Sequence, residues 1–320
     1  MKLIFDIFKN QELIENSYIA IGNFDGLHVG HKVLINKVVN SAKEKGGVSV
    51  VFTFLDHPKN KNSEAETPKS IITMEEKIYL FEKLGVDYVI FQPFTEEFCN
   101  LSGEEFVLDI VKDHLNAKMV CVGFNFRFGK NQSHGVKELK EICNSHKIEL
   151  KEISPVKVED KIVSSTAIRH AILNGDLAIV NSFLGEPYFI SGEVVHGKKL
   201  GRVLGFPTAN LEMKDKIYLP YGIYGGYVEI EGLEGEFDVL INIGRNPTLK
   251  PNERSIEVHI LDFNRDIYGK KLYIRVVRHI RDEVKFNSMN ELKERIHEDV
   301  KYWRVYLKNI ENGVDSGNNY

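Results

Sequence analysis

Two segments of this chain combine glycines with side chains that bind phosphate. The first is Gly22-Asn23-Phe24-Asp25-Gly26-Leu27-His28-Val29-Gly30-His31, and the second is Gly205-Phe206-Pro207-Thr208-Ala209-Asn210. Glycines let a backbone approach a phosphate closely, while imidazole, hydroxyl and amide groups bind its oxygens or a cation beside it. One active site would not need both segments. The sequence therefore predicts two phosphate-handling reactions.

The first segment is predicted to follow a strand, because the apolar run 18–21 ends immediately before Gly22. Open α/β sheets bind ligands at the carboxyl ends of their strands, so residues 22–26 are predicted to bind the phosphates of a nucleotide. We predict that a helix begins near Gly30 and that His28 and His31, three residues apart, face the same anion. Taken alone, a glycine-rich turn with two surface histidines is an equally good interpretation. A metal site is less favoured, because no third ligand lies nearby.

A second anion-binding feature lies later in the same half, at Ser164-Ser165-Thr166-Ala167-Ile168-Arg169. Hydroxyl groups at a predicted helix N-terminus are followed one turn later by a guanidinium group, and all of these bind phosphate oxygens. An ordinary N-cap explains this segment if it is considered alone. Two such features in one domain favour nucleotide binding.

The second glycine-containing segment follows a predicted flexible loop bounded by Gly197 and Gly205, which we include among the predicted ATP-binding residues. A P-loop at 192–199 is rejected, because Lys199 stands where Ser or Thr is required and no helix follows. If the chain after position 207 is extended, Thr208 and Asn210 point to one side and offer hard oxygen ligands suited to magnesium.

Glu257 is a candidate general base for the second reaction. In the predicted strand 255–260, alternation directs Ile256 and Val258 to one face and Glu257 to the other, where a carboxylate can accept a proton. From this pattern alone, a solvated carboxylate on an ordinary strand is the safer interpretation.

The two segments belong to regions of different predicted architecture. Residues 1–185 alternate apolar runs with helical periodicity, which indicates an α/β domain with a parallel sheet. Residues 186–311 contain short β-rich runs that predict an antiparallel β-barrel, followed by a terminal helix that begins at a capping box, Ser288 to Glu291. A polar tail is predicted for residues 312–320. The predicted strands are 18–21, 48–54, 88–91, 119–122, 188–195, 223–230, 237–243, 256–261 and 272–280.

Composition narrows the class of function. The chain has 320 residues, of which 42% are hydrophobic, and a formal net charge of -4. Two cores of ordinary domain size are therefore expected, with no general attraction to nucleic acid or to anionic membranes. Cys99, Cys121 and Cys143 are widely spaced, and no secretory or membrane-spanning segment is evident, so we expect a cytoplasmic protein that acts on small molecules.

Several motifs resemble those of the bacterial bifunctional riboflavin kinase/FAD synthetase family, and together they cover nearly the whole chain. In the first half the similar stretches are 21–31, 53–58 (Thr-Phe-Leu-Asp-His-Pro), 123–129 (Gly-Phe-Asn-Phe-Arg-Phe-Gly) and 164–169. In the second half they are 201–211, 219–220, 222–224, 242–244, 247–248 and 257–259.

For the first half, the resemblance implies a Rossmann-like nucleotidylyltransferase domain that transfers AMP from ATP to FMN, giving FAD and pyrophosphate. By this similarity His28 and His31 contact the ATP phosphates, and Asn125 helps to seat the nucleotides, although many members carry Asp at that position. Residues implied to hold the pyrophosphate end are Ser164, Thr166 and Arg169, with Ser165 in the same segment. Residues implied to lie near the flavin are His57, Pro58 and Phe128.

For the second half, the resemblance implies a riboflavin kinase. Thr208 and Asn210 would bind Mg-ATP, and Glu257 would activate the 5′-hydroxyl of riboflavin, which is a poor nucleophile without a base. The implied function is the phosphorylation of riboflavin to FMN and the conversion of FMN to FAD, with ATP as co-substrate and Mg²⁺ as cofactor. No nucleic-acid or membrane partner is expected. Two alternatives are a nucleotidylyltransferase for another phosphorylated acceptor and a non-catalytic flavin- or nucleotide-binding regulatory module.

Overall fold

The computed structural model describes residues 1–10, 14–55, 68–197, 201, 204–245 and 254–313. Contacts between residues divide the chain into two compact units, Met1–Ile168 and Arg169–Tyr320. Within the described residues, no helix combines the length and the apolar character needed to cross a membrane. The predicted functional boundary after residue 185 stays a prediction.

The first unit is built on a six-stranded parallel sheet, which confirms the predicted α/β class. All four strands predicted for this half are present. The strands are β1 (Lys2–Phe5), β2 (Ser17–Ile21), β3 (Val48–Phe54), β4 (Tyr88–Gln92), β5 (Ala117–Gly123) and β6 (Glu149–Ile153). The edge strands β1 and β6 were not predicted: they are short, and Ile4 is the only one of their residues that is buried.

The strand order β1-β4-β3-β2-β5-β6 decides where the first site lies. From β2 the chain proceeds through β3 and β4 on one side, and β5 and β6 lie on the other. The order therefore reverses between β2 and β5, and a crevice at the carboxyl ends of such strands is the usual ligand position in open α/β sheets. The loop beginning at Gly22 follows β2, and Asn125 follows β5.

Helices cover this sheet. The first, α1, packs on it through the buried residues Leu34, Val38 and Ala42, which repeat at helical spacing. A capping box of Ser102 and Glu105 begins α4. The helices of this unit are α1 (Val29–Lys45), α2 (Met74–Lys83), α3 (Glu96–Asn100), α4 (Gly103–Glu105), which continues as a π-helix (Phe106–His114), α5 (Val136–Ser145) and the start of α6 (Ser165–Asn174).

The second unit contains the predicted antiparallel barrel, closed in the order β10-β13-β12-β11-β14-β9. All five strands predicted here are present. A small hairpin of β7 (Lys157–Val158) and β8 (Lys161–Ile162) precedes the barrel strands in the chain, and α7 (Leu177–Leu184) leads into them. The barrel strands are β9 (Tyr188–Val195), β10 (Ala209–Leu211), β11 (Gly222–Ile230), β12 (Glu236–Arg245), β13 (Arg254–Ile260) and β14 (Lys271–Arg281).

The predicted terminal helix is α8 (Met289–Glu311), and it packs on the barrel. Trp303 is fully buried beside Leu240 and Leu261. Ser288 caps the helix by accepting a hydrogen bond from the Glu291 backbone N–H at 3.2 Å. The Glu291 carboxylate accepts a hydrogen bond from the backbone N–H of Asn287, whereas a capping box requires one from the N–H of Ser288. This half of the predicted capping box is therefore shifted by one residue. Residues 314–320 of the predicted tail lie outside the described residues.

Replacement of Gly225 in β11 by alanine is expected to destabilise the second unit. A β-carbon at this position would overlap the indole ring of Trp303, so the helix or the strand must shift. Such overpacking costs about 1–3 kcal/mol. Trp303 is the single tryptophan of the chain, so urea unfolding followed by its fluorescence reports the change directly. Val305→Ala, on the exposed side of the same helix, serves as the control; equal unfolding midpoints for both variants would contradict the expected clash.

Candidate active sites

The loop that follows β2 is held in place by contacts to its backbone. Thr53 Oγ1 and Lys77 Nζ both donate hydrogen bonds to the Asn23 carbonyl, at 3.2 and 2.8 Å. Ser165 Oγ donates to the Asp25 carbonyl at 2.8 Å. Phe24 adopts a left-handed backbone conformation with φ of 49°, which is unfavourable for a non-glycine residue and persists only where the surroundings enforce it. The loop is therefore a preorganised element.

Asp25 anchors the same loop through its side chain. The carboxylate is buried and accepts hydrogen bonds from the backbone N–H groups of Ile71 and Ile72, at 2.9 and 3.3 Å. The structure thus gives Asp25 a clear structural role ahead of α2, while its predicted part in ATP binding stays a prediction.

His28 and His31 lie at the start of α1, as the sequence predicts. His28 is the N-cap, and its Nδ1 accepts a hydrogen bond from the His31 backbone N–H at 3.3 Å. A neutral His28 consequently carries its proton on Nε2 and can donate it to a ligand. The two rings stack with centroids 3.6 Å apart. Gly30 allows this arrangement, because a β-carbon there would lie only 3.2 Å from the His28 ring.

Burial keeps both imidazoles neutral. It lowers the pKa of His28 to about 4 and that of His31 well below its ordinary value. The positive charge of Lys77, and of His28 whenever His28 is protonated, further disfavours a proton on His31. His31 Nδ1 is buried and has no hydrogen-bond partner among the described residues. A buried polar atom of this kind is unfavourable until a ligand or a water molecule supplies a hydrogen-bond partner.

Lys77 is a residue of this site that sequence reasoning missed. Its side chain is buried, and its Nζ donates a hydrogen bond to the carbonyl of Asn23 within the loop. Burial lowers the pKa of Lys77 to about 8, and the nearby Asp25 carboxylate opposes that shift. Lys77 is therefore charged at neutral pH and supplies the positive charge that the neutral histidines do not. A motif consists of residues close together in the chain, and Lys77 lies on α2, 54 residues after Asn23. No motif therefore pointed to it.

Acid is expected to destabilise the first unit through His28. The folded protein holds the pKa near 4, whereas the unfolded chain has the ordinary value of about 6.5, so the unfolded state binds more protons between these limits. Stability should fall as the pH is lowered through this window, by about 1.4 kcal/mol per pH unit for this histidine. His28→Gln should remove that part of the pH dependence.

The measurement is urea unfolding, followed by circular dichroism, at pH values of about 6.5 and about 5. His146→Gln is a matched control, since His146 lies at the end of α5. If His28→Gln and the unmodified chain lost equal stability on acidification, burial of a neutral His28 would be refuted.

The segment 164–169 begins α6, as predicted. Ser164 Oγ accepts a hydrogen bond from the Ala167 N–H at 3.2 Å, as an N-cap does. Ser165 binds the loop at Asp25 as described above, and Thr166 is exposed. Arg169 lies one turn further along the same helix. The phosphate-binding role of these residues stays a prediction.

Asn125 and Phe128 follow β5. Asn125 is exposed in the turn at the carboxyl end of that strand, the sheet edge that also carries the glycine loop. Phe128 is only 6% exposed, and its ring lies 5.7 Å from that of Phe106 in the hydrophobic core. The predicted flavin contacts His57 and Pro58 lie outside the described residues.

The second site lies on the barrel, where two neighbouring strands, β10 and β13, bring the predicted residues together. Asn210 in β10 is paired directly with Glu257 in β13. Thr208, just before β10, donates a hydrogen bond from Oγ1 to Glu257 Oε2 at 3.3 Å. Ile256 and Val258 are buried while Glu257 is half-buried, which confirms the predicted alternation. A hydroxyl, an amide and a carboxylate thus form one oxygen-rich cluster.

His259 fastens the segment that carries Thr208. Its Nδ1 donates to the Pro207 carbonyl at 2.9 Å, since a carbonyl can only accept. Burial lowers the pKa of His259, so the neutral form is favoured. Of the two predicted loop glycines, Gly197 lies directly against the Asn210 amide, and Gly205 is exposed in a turn with φ of 87°.

Comparison with known proteins matches each unit separately. A family model described as FAD synthetase matches residues 10–167, and one described as riboflavin kinase matches residues 184–307. A Bacillus subtilis protein named bifunctional riboflavin kinase/FMN adenylyltransferase is 36% identical over 299 residues, which span 92% of this chain and 93% of that protein. The chain belongs to the bifunctional riboflavin kinase/FMN adenylyltransferase family.

Other comparisons agree with membership of this family. A Buchnera aphidicola protein of the same name is 34% identical over 313 residues, covering 97% of this chain and all of that protein. A crystal structure titled as a macrolide-efflux protein from Streptococcus pneumoniae is 32% identical, with a TM-score of 0.82, and covers 95% of this chain and 99% of that one. That title describes the Streptococcus chain; the likeness concerns sequence and fold.

Proposed function

We propose that this chain catalyses two consecutive reactions, as its relatives are named to do. The barrel transfers the γ-phosphoryl group of ATP to riboflavin, and the first unit transfers AMP from a second ATP to the resulting FMN, giving FAD and pyrophosphate. The observation that carries this proposal is that each family model matches one unit, and that each unit holds its own phosphate-binding residues.

In the kinase reaction, the 5′-hydroxyl of riboflavin attacks the γ-phosphorus, the bond to ADP breaks, and Glu257 accepts the hydroxyl proton. The contact from Thr208 holds this carboxylate in place, and base catalysis is needed because a neutral hydroxyl is a poor nucleophile. The oxygen donors of Thr208 and Asn210 fit Mg²⁺, a hard cation that would neutralise phosphate charge when bound. The adenylyl transfer proposed for the first unit does not use this carboxylate.

In the adenylyl transfer, a phosphate oxygen of FMN attacks the α-phosphorus of ATP, and pyrophosphate leaves. The attacking phosphate is already anionic, so no base is required, and positioning and charge stabilisation carry the catalysis. We propose that Nε2–H of His28, the ammonium group of Lys77 and the hydroxyls of Ser164 and Thr166 bind the developing negative charge. The Ser165 hydroxyl instead donates to the Asp25 carbonyl and positions the loop. Asn125 would seat the nucleotide from the neighbouring strand.

We further propose a functional boundary near residue 185, supported by the riboflavin kinase match that begins at residue 184. A cytoplasmic location is proposed because Cys99, Cys121 and Cys143 are all free thiols, as is usual in a reducing compartment.

A time course tests the function. The purified chain is incubated with riboflavin, ATP and Mg²⁺, and the flavins are separated by chromatography. We expect FMN to form first and then to give way to FAD. Accumulation of FMN without FAD would support the kinase activity alone. FAD formed only when FMN is supplied would support the adenylyltransferase activity alone. No conversion of any flavin would support the alternative of a regulatory module.

A further inference from the structure

Asn242 lies beside the proposed catalytic base but has a buried polar atom without a partner. Its Oδ1 is shielded from solvent and accepts no hydrogen bond from any described residue. Buried carboxamide oxygens are nearly always paired in folded proteins, so an unpaired one next to an active site points to a ligand that supplies the donor.

The register of the barrel places Asn242 in line with Glu257. Asn242 in β12 is paired directly with Glu257 in β13, which is paired directly with Asn210 in β10. Directly paired side chains stand on the same face of a sheet, about 5 Å apart. The flanking residues Ile241 and Ile243 are fully buried and point into the barrel. Asn210, Glu257 and Asn242 therefore form a row across the outer face, with the carboxylate in the middle.

The two sides of this row differ in chemistry. Thr208 contacts Glu257 on the side of Asn210, where the proposed Mg-ATP residues lie. Beyond Asn242, the next paired residue is Ile223, which is apolar, and then Arg281. Arg281 is already engaged with the carboxylate of Asp299 in α8, at 2.8 Å. Asn242 is thus the hydrogen-bonding side chain next to Glu257 on the side away from Thr208.

We propose that Asn242 binds the polyol chain of the flavin substrate. Its Oδ1 accepts a hydrogen bond from the secondary hydroxyl adjacent to the hydroxyl that Glu257 deprotonates. The inference rests on the proposed riboflavin kinase function. A hydroxyl donor satisfies the unpaired oxygen, and the terminal hydroxyl is then directed at the carboxylate. A site that pairs a buried acceptor with a substrate hydroxyl discriminates strongly against an analogue that lacks it.

The test compares riboflavin with a flavin that bears a 5-hydroxypentyl chain, which keeps the terminal hydroxyl and lacks the secondary ones. The unmodified chain should prefer riboflavin in kcat/KM. Asn242→Ala should lower kcat/KM for riboflavin about tenfold or more and change the value for the analogue less than about twofold. Asn264→Ala, in an exposed turn after β13, is the matched control and should change neither value.

An equal loss of kcat/KM with both flavins would overturn the inference, because Asn242 would then only support Glu257 or the barrel. No loss with riboflavin would overturn it as well. If the unmodified chain does not phosphorylate riboflavin, the proposed function itself fails. A titration of each flavin by fluorescence quenching, in the presence of MgADP, then reports on Asn242 without turnover. Riboflavin binding that is unaffected by Asn242→Ala, or absent from the unmodified chain, also overturns the inference. Trp303 fluorescence verifies that the variant barrel is folded.

Discussion

Glu257→Gln is expected to abolish most riboflavin phosphorylation while leaving the conversion of supplied FMN to FAD unchanged. The amide keeps the size of the side chain and can still accept the hydrogen bond of Thr208, but it cannot accept the proton of the attacking hydroxyl. Loss of a general base costs about 10²- to 10⁴-fold in rate. Flavins separated by chromatography, from parallel reactions started with riboflavin and with FMN, give both rates.

Glu234→Gln is the matched control, because Glu234 lies exposed in the turn before β12, at the opposite end of that strand from Asn242. It should retain both activities. A Glu257→Gln chain that phosphorylates riboflavin within a few-fold of the unmodified rate would show that the carboxylate is not the base. Equal losses of both activities would indicate damage to the whole chain instead of to one reaction.

His28→Ala should produce the complementary defect, with FAD formation lowered about 10²- to 10³-fold and riboflavin phosphorylation retained. One preorganised donor to a developing negative charge is worth roughly this factor. His28 also caps α1 through its Nδ1, so alanine removes a cap as well as a donor.

His28→Asn separates these two effects. Asparagine is a strong N-cap residue, and it preserves the start of α1 but lacks the imidazole donor. We expect the rate of FAD formation by His28→Asn to be nearly as low as that of His28→Ala. Its thermal stability should return to that of the unmodified chain. His146→Ala, at the end of α5, should retain full activity. Normal FAD formation by His28→Asn would mean that His28 only caps the helix.

Features that depend on neighbouring residues were predictable from the sequence. Apolar runs predicted the central strands, and alternation along β13 predicted that Glu257 faces away from the barrel interior. The start of α1 at His28 and the cap at Ser164 follow from local hydrogen-bonding chemistry. The edge strands β1 and β6 escaped prediction, because each is short and, with one neighbouring strand, buries little surface; Ile4 is the only one of their residues that is buried.

Features that depend on strand register or on distant packing were decided by the tertiary structure. Asn242 meets Glu257 only because β12 and β13 pair in one particular register, and a shift of one residue would direct its amide to the opposite face. Lys77 reaches the carbonyl of Asn23 because α2 packs beside the loop, and burial there lowers its pKa.

The sequence by itself therefore determined the two-part α/β and barrel architecture and the residue types at each candidate site, since these rest on short-range patterns. Only the tertiary structure decided that Asp25 anchors its loop through Ile71 and that Phe128 is buried in the core. It likewise placed Lys77 against the Asn23 carbonyl and Asn242 beside Glu257. Contacts across tens of residues depend on how whole elements pack, and no local pattern encodes that arrangement.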